Sequence, residues 1–517
     1  MKSSNKDNKS YIYNIVSSFG VIIITNIIAL ISIPISVKYL GNDRYGIWTV
    51  ISTLLVFLGM SNLGLNESAT TLISKNNNFK TKIKIIKKIL WVLLVSLIFF
   101  TFIFFIVFIK MDVWRSLLGK IPSNLEQEAF GAIVFAGILY LINVPFSLIT
   151  SIYIGFQKLY LDKMFTMLVS IINFILLIVL INSDGDLITY AIFVGATNIL
   201  VNVIKIIFFY FRVFKVEKKS GSIEIDYIAN EDEISYKNIL ITSLRFFSVS
   251  IAGMIVWNTD NLIITNMLGI EEVSAYSITF KIYNILFTVI TIFTASMVPI
   301  IGKEIGNGNW EWLRKTYQKL SSYSIMVGGL AWIGGVLFIR DLISIFVGES
   351  YYGGVIVVCA LGGYSYLLSI VNINASVLKA FNFSKGLALV GWMEAIINFV
   401  ISITLVKYLG IAGVALGTFL ASLFSVAWML PRMLAKNTNN KIVSEKNFVM
   451  KHTLGATIPM LIVSLAIQLF INSTIHRFVF GILVVIIYMG LCYKNLSYAS
   501  KGELRDSYIK NKEILKK

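Results

Sequence analysis

The sequence predicts an all-α, polytopic membrane protein with about 14 transmembrane helices. Hydrophobic residues make up 57% of the 517 residues, charged residues only 14%, and the mean hydropathy is +0.79. A soluble chain of this length needs far more charge to cover its surface. Apolar windows long enough to cross the roughly 30 Å hydrocarbon core recur along the whole chain. This composition excludes disordered, collagen-like and disulfide-stapled proteins.

The predicted spans are fourteen apolar windows separated by short polar connections. They fall near 13–37, 46–65, 89–109, 129–155, 164–181, 187–211, 238–265, 275–301, 321–339, 352–378, 386–406, 411–430, 453–471 and 478–493. The first window is too long for the apolar region of a signal peptide and has no cleavage site behind it, so it predicts a membrane helix.

The distribution of Lys and Arg predicts the orientation. If the N-terminus is inside, the inside segments hold 34 of these residues and the outside loops hold 8. Cytoplasmic loops accumulate basic residues, so both termini are predicted to be cytoplasmic. The same bias explains the net charge of +18 without nucleic acid as a partner.

An internal repeat predicts two six-helix lobes. The segment Ile171–Phe174 returns as Ile396–Phe399, an offset of 225 residues. An even number of spans in each lobe makes the repeats parallel, an architecture of transporters that rock around a central cavity. The alternative is a chance match between Ile-rich helices. The predicted organisation is an N-terminal lobe over 1–211, a cytoplasmic linker over 212–237, a C-terminal lobe over 238–430, and two additional helices with a tail over 431–517.

Polar residues inside predicted spans are candidate substrate-path residues, because charge is unfavourable in hydrocarbon. The candidates are Arg245, Asn258 and Asp260 in span seven, Lys281 and Asn284 in span eight, and Glu394 in span eleven. Asp260 and Lys281 are expected at the same depth on adjacent spans. Fifteen residues separate Arg245 from Asp260, which places both on one broad helix face.

Structural readings of the same residues stay open. Asp260 and Lys281 could form a clasp without touching substrate, and Glu394 could neutralise Arg245. Asparagines in membrane helices often serve as interhelical hydrogen-bond partners. Lys205 in span six is close enough to the inner end for its ammonium to reach the membrane interface.

Pro34 and Pro145 lie inside predicted spans and are candidate hinges. Prolines are also simply tolerated in membrane helices. The sequence contains no phosphate-binding loop and no catalytic motif, and its two cysteines and two histidines show no metal-ligand spacing. We therefore expect neither an enzyme nor a metal or organic cofactor.

Three short motifs follow one another along the chain. They are Ile33-Pro34 with Tyr39–Trp48, then Gly64-Leu65, and then Thr259–Ile264 with Leu268-Gly269, Tyr276, Lys281 and Pro299. Together they resemble the motifs of bacterial polysaccharide flippases of the multidrug/oligosaccharidyl-lipid/polysaccharide exporter superfamily. Where that family often has an acidic residue before the second motif and an Arg after it, this chain has Asn62 and Thr71.

The resemblance implies a flippase of undecaprenyl-diphosphate-linked oligosaccharide repeat units, moving them outward across the bacterial inner membrane. The implied products are O-antigen, capsule or exopolysaccharide. Its partners would be this lipid-linked substrate, membrane lipids and the polysaccharide polymerase machinery, with H⁺ or Na⁺ as coupling ion. The alternatives are an ion-coupled multidrug or toxin antiporter of the same superfamily, or a polysaccharide polymerase or ligase. The outer loops are too short for the catalytic segment of a polymerase.

Overall fold

The computed structural model describes residues 2–76, 78–106, 113–119, 121–183, 185–215, 235–381, 383–442, 448–471 and 473–514. These residues form helices joined by short turns, which confirms the predicted all-α membrane fold. Their contacts divide the chain into two compact units, Met1–Ser274 and Ala275–Lys517. The lobe boundaries derived from the repeat stay a prediction, and most of the 212–237 linker lies outside the described residues.

The first unit contains eight helices within the described residues and the first turn of a ninth. They are α1 (Lys2–Leu58), α2 (Leu65–Lys75), α3 (Phe79–Phe104), α4 (Val113–Leu118), α5 (Glu126–Gly155), α6 (Leu159–Asn182), α7 (Leu187–Phe209), α8 (Tyr236–Met267) and the beginning of α9 (Ile270–Gly306). A buried core that includes Leu65, Ile89, Leu148 and Tyr153 joins α2, α3 and α5.

The second unit contains most of α9 and seven further helices among the described residues. These are α10 (Trp310–Phe346), α11 (Val355–Ala380), α12 (Ser384–Leu409), α13 (Ile411–Phe424), α14 (Val426–Asn437), α15 (Phe448–Phe470) and α16 (Thr474–Ile514). The two additional C-terminal helices, α15 and α16, pack on α10 through a buried cluster that includes Ile333, Leu337, Ala456 and Tyr488. The Tyr488 hydroxyl lies 3.1 Å from Thr457 Oγ1 inside this cluster.

The described helices account for the fourteen predicted spans. Among the described residues, eleven helical segments are long and apolar enough to cross a membrane. One of them, Gly20–Asn62, contains two predicted spans because Gly41 breaks α1 with φ +74° and ψ 175°. The shorter apolar segment Gly455–Phe470 and the apolar part of α9 supply the remaining two.

Polar caps fix where several of these helices begin. The Asn78 side chain accepts hydrogen bonds from Lys80 N and Thr81 N at the start of α3. Ser235 caps α8 by accepting from Asn238 N, and Asn309 caps α10 by accepting from Trp312 N. Each cap satisfies backbone N–H groups that have no partner within the helix. The sequence therefore sets the starts of α3, α8 and α10 by local chemistry.

The two prolines predicted as hinges, Pro34 and Pro145, lie within α1 and α5. The α5 helix runs from Glu126 to Gly155 through Pro145. In α1 the non-helical backbone lies at Gly41, seven residues beyond Pro34. A hinge role for Pro34 and Pro145 stays a prediction.

Candidate functional site

Arg245 is an exposed charge well inside α8. It lies nine residues after Tyr236, where the helix begins, which is more than two helical turns. Its side chain is exposed, and it forms no salt bridge with the described residues of its unit. An unpaired guanidinium on a membrane helix is unfavourable in lipid, so this position requires a polar surrounding.

The turn at Leu63-Gly64, between α1 and α2, packs on the part of α8 that carries Arg245. Gly64 has φ +71°, and a Cβ at this position would lie 2.3 Å from Ser243 O and 2.7 Å from Phe247 N. Glycine is required here both by the left-handed backbone and by the close approach. Asn62 Oδ1 accepts a hydrogen bond of 2.7 Å from Gly64 N and stabilises the turn. The Gly64-Leu65 motif therefore positions the backbone of α8 around Arg245.

Farther along α8, polar side chains make internal contacts. Asp260 is only 3% exposed. Asn261 Nδ2 donates a hydrogen bond of 3.0 Å to Thr53 Oγ1 on α1, and Asn258 Nδ2 donates one of 3.1 Å to Met254 O in its own helix. The face that is exposed at Arg245 is therefore covered at Asp260. Exposure therefore differs between the two ends of α8, and a substrate path along both Arg245 and Asp260 stays a prediction.

The remaining candidates lie in the second unit and differ in exposure. Lys281 is exposed on α9, eleven residues after Ile270. Asn284 is half-buried, and its backbone carbonyl accepts from Thr288 Oγ1 at 2.8 Å. Glu394 on α12 is 7% exposed, and its Oε1 has no hydrogen-bond partner among the described residues. The pairings of Asp260 with Lys281 and of Arg245 with Glu394 join different units and stay predictions.

Lys205 is part of a buried ion pair that sequence reasoning missed. Its Nζ lies 2.8 Å from Asp162 Oδ1 on α6 and 3.2 Å from Thr150 Oγ1 on α5. Lys205 is 5% exposed and Asp162 is 3% exposed. The expectation that this ammonium reaches the membrane interface was therefore wrong, since a carboxylate on a neighbouring helix neutralises it inside the protein.

A second missed ion pair holds the C-terminal helices to the second unit. Arg477 near the start of α16 donates to Asp341 Oδ1 on α10 at 2.6 Å, and both residues are 5% exposed. A second contact joins Arg477 to Thr474 Oγ1 at 3.3 Å. Because breaking a buried pair leaves an uncompensated charge, this contact ties α16 to α10.

The motif after span one makes a set of contacts in the first unit. Arg44 donates to both carboxylate oxygens of Glu128 on α5, at 2.9 and 3.0 Å. Glu128 Oε1 also accepts a hydrogen bond of 2.7 Å from Leu187 N at the start of α7. The Tyr39 hydroxyl donates to Gly185 O just before that helix. We call Tyr39, Arg44, Glu128 and the 185–187 turn the α1–α5–α7 clasp.

Asp186 lies in this clasp and caps α7. Its Oδ1 accepts from the hydroxyl and from the backbone N–H of Thr189, at 2.7 and 2.8 Å. The hydrogen bond from the Thr189 hydroxyl holds the pKa of the Asp186 carboxyl below its usual range. The Tyr39–Arg44 signature could have indicated this site, because it combines a bidentate donor with a helix-breaking glycine.

The described residues contain no group of three or more His, Cys, Asp or Glu side chains that could hold a metal ion. Isolated charges and amides are instead spread over apolar membrane helices. An all-helical, multi-pass fold with charged residues inside its spans is typical of a membrane transport protein.

The chain belongs to the family described as "Polysaccharide biosynthesis protein", whose model matches residues 12–304. Residues 243–405 also match the MatE family. The resemblance found in the three short motifs is confirmed.

Relatives and solved structures agree with this family. A Salmonella typhi protein described as "Putative O-antigen transporter" is 23% identical over 419 residues, which cover 78% of this chain and 91% of that protein. A solved structure of the "Lipid II flippase MurJ, inward closed conformation" has a TM-score of 0.68 at 13% identity, covering 94% of this chain and 99% of the other.

An inward-facing multidrug resistance MATE family transporter has a TM-score of 0.61 at 15% identity, covering 82% of this chain and 99% of the other. At these identities the two structures establish the fold. The relatives are transporters, which confirms the prediction that the chain is not an enzyme.

Proposed function

We propose that the protein moves undecaprenyl-diphosphate-linked oligosaccharide repeat units from the cytoplasmic to the outer leaflet of the bacterial inner membrane. The exposed guanidinium of Arg245 on a membrane helix is the observation that carries this proposal. An anionic diphosphate that crosses the low-dielectric hydrocarbon core of the membrane requires compensating positive charge. A guanidinium can bind the diphosphate oxygens with two parallel hydrogen bonds. The family described as polysaccharide biosynthesis proteins supports the same class of substrate.

Alternating access is the mechanism that we propose for this step. The diphosphate and sugars enter a polar space from the cytoplasmic side and contact Arg245, while the lipid tail stays in the bilayer. The exposed Lys281 offers a second cation on the path, and Asp260, Asn258, Asn284 and Glu394 supply polar groups along it. Glu394 is the candidate for coupling to H⁺ or Na⁺, since its buried carboxylate has an oxygen without a hydrogen-bond partner among the described residues.

The multidrug antiporter is the second candidate function. The MatE match over residues 243–405 and the likeness to MATE structures favour it. Its substrate would be a free organic cation, which an exposed arginine repels. Arg245 therefore favours the lipid-linked anion over the cationic drug.

Deleting the gene distinguishes these two functions. We expect a lipid-linked oligosaccharide to accumulate on the cytoplasmic side and surface polymer to disappear. Reintroducing the intact gene should remove the accumulated intermediate and restore the surface polymer. The polymer that is lost, O-antigen, capsule or exopolysaccharide, identifies the pathway and the polymerase that receives the product. Unchanged surface polymer together with increased drug sensitivity would instead support the antiporter.

The proposed orientation, with both termini in the cytoplasm, predicts a labelling pattern. Cysteines placed at the exposed Ser183 and Glu271 should react with a membrane-impermeant thiol reagent in intact cells, and one at Lys436 should react only after permeabilisation. Each cysteine is introduced into a variant in which the two native cysteines, Cys359 and Cys492, have been replaced; Cys492 is 1% exposed. Labelling of Lys436→Cys in intact cells, with Ser183→Cys and Glu271→Cys protected, would invert the orientation.

A further inference from the structure

An apolar groove lies between α3 and α8 in the first unit. Its volume is about 650 Å³. Residues from both helices and from the turn before α2 line it, namely Leu63, Trp91, Val95, Phe99, Tyr236 and Leu240, together with Val92, Ser96 and Phe100. Trp91, Val95 and Phe99 are each more than half exposed, so the groove is open rather than enclosed.

The length of this groove matches one leaflet of a bilayer. Trp91 and Phe100 are nine residues apart on α3, which corresponds to about 14 Å along the helix. Half of the hydrocarbon core is about 15 Å thick. The groove therefore accommodates one acyl chain of a phospholipid, whereas the undecaprenyl tail of the proposed substrate is far longer.

Three lysines lie at one end of the groove. Lys84, Lys87 and Lys88 precede Trp91 by seven, four and three residues, spacings that place them on the same helix face. Lys84 and Lys87 are exposed, and Lys88 Nζ lies 4.9 Å from the centroid of the Tyr236 ring, which lines the groove. This end of α3 is the predicted cytoplasmic end, where anionic phospholipids meet basic residues next to membrane helices.

We propose that the α3–α8 groove binds an anionic phospholipid of the cytoplasmic leaflet. One acyl chain lies along Trp91, Val95 and Phe99, and the phosphate contacts Lys84, Lys87 and Lys88. A zwitterionic lipid such as phosphatidylcholine satisfies the apolar lining, but its cationic choline group offsets the attraction between its phosphate and the three ammonium groups. The charge at one end therefore selects the head group, and the apolar length selects the chain.

Binding of phosphatidylglycerol to the purified full-length protein tests the head-group contact. Native mass spectrometry measures the affinity for this lipid and for phosphatidylcholine with the same chains. We expect Lys84→Gln/Lys87→Gln/Lys88→Gln to weaken phosphatidylglycerol binding on the order of a hundredfold, from about one kcal/mol for each lysine. The control Lys315→Gln/Lys319→Gln/Lys436→Gln removes the same charge from exposed positions outside the groove and should bind as the parent does.

Quenching of Trp91 tests where the acyl chain lies. Phosphatidylglycerol brominated on its chain should quench tryptophan fluorescence saturably, and Trp91→Phe should remove that saturable part. Equal affinity for the two phospholipids, or equal affinity of the two triple variants, overturns the proposal. Displacement of phosphatidylglycerol by an equimolar amount of undecaprenyl diphosphate would also overturn the proposal, because the groove would then be a site for the substrate. These readouts measure binding, so they do not depend on the proposed transport activity.

Discussion

Replacing Arg245 with alanine is expected to abolish export of the surface polymer while the protein still inserts in the membrane. The side chain is exposed on α8 and forms no salt bridge with the described residues of its unit, so its loss breaks no such internal contact. Arg245→Lys keeps the charge but loses the planar pair of donors that fits diphosphate oxygens. The lysine variant should therefore retain part of the activity. Surface polymer, measured at equal protein levels, gives the result.

Two further variants make this prediction specific. Arg314→Ala removes an exposed arginine near the start of α10 and should export normally. If Arg245 only neutralises Glu394, then Arg245→Ala/Glu394→Ala should regain export. Contact with the substrate instead requires the double variant to remain inactive. Recovery in the double variant would reassign Arg245 to a static ion pair.

The membrane fold could be predicted because hydropathy acts locally along the chain. Each apolar window contains its own signal, so the spans over 129–155 and 352–378 correspond closely to α5 and α11. The break at Gly41 falls in the polar connection that separates the first two windows. Local signals did not reveal that the break is confined to one residue, Gly41, which alone has non-helical φ and ψ between the two helical parts of α1.

The partners of the charged residues could not be predicted, because they depend on which helices pack together. Lys205 and Asp162 are 43 residues apart and meet only because α6 and α7 are neighbours. Arg245 and Asp260 both lie on α8, but angular arithmetic along one helix does not show that other helices cover Asp260. Charge positions follow from the sequence, whereas exposure and pairing follow from the packing.

Breaking the Lys205–Asp162 pair from one side is expected to destabilise the protein strongly. Lys205→Met leaves the Asp162 carboxylate at 3% exposure without its cation, and Asp162→Leu leaves the Lys205 ammonium without its anion. Removing one partner of a buried pair costs about 3–5 kcal/mol, because the remaining charge is uncompensated. Replacing both partners with apolar residues of similar volume is often neutral or stabilising. We therefore expect Lys205→Met/Asp162→Leu to be more stable than either single variant.

Thermal unfolding of the purified protein in detergent measures this difference as an apparent Tm. The matched control is Lys315→Met, which removes the exposed Lys315–Glu311 pair one helical turn apart on α10. Exposed pairs of this spacing contribute about 0.3–0.5 kcal/mol, so the control should leave the Tm nearly unchanged. If the double variant unfolds at or below the temperature of the weaker single variant, then Lys205 and Asp162 do not stabilise the first unit as a pair. Recovery of the Tm in the double variant would show that Lys205 and Asp162 stabilise the packing of α6 on α7. This structural role differs from that of Arg245, whose exposed charge we propose contacts the substrate.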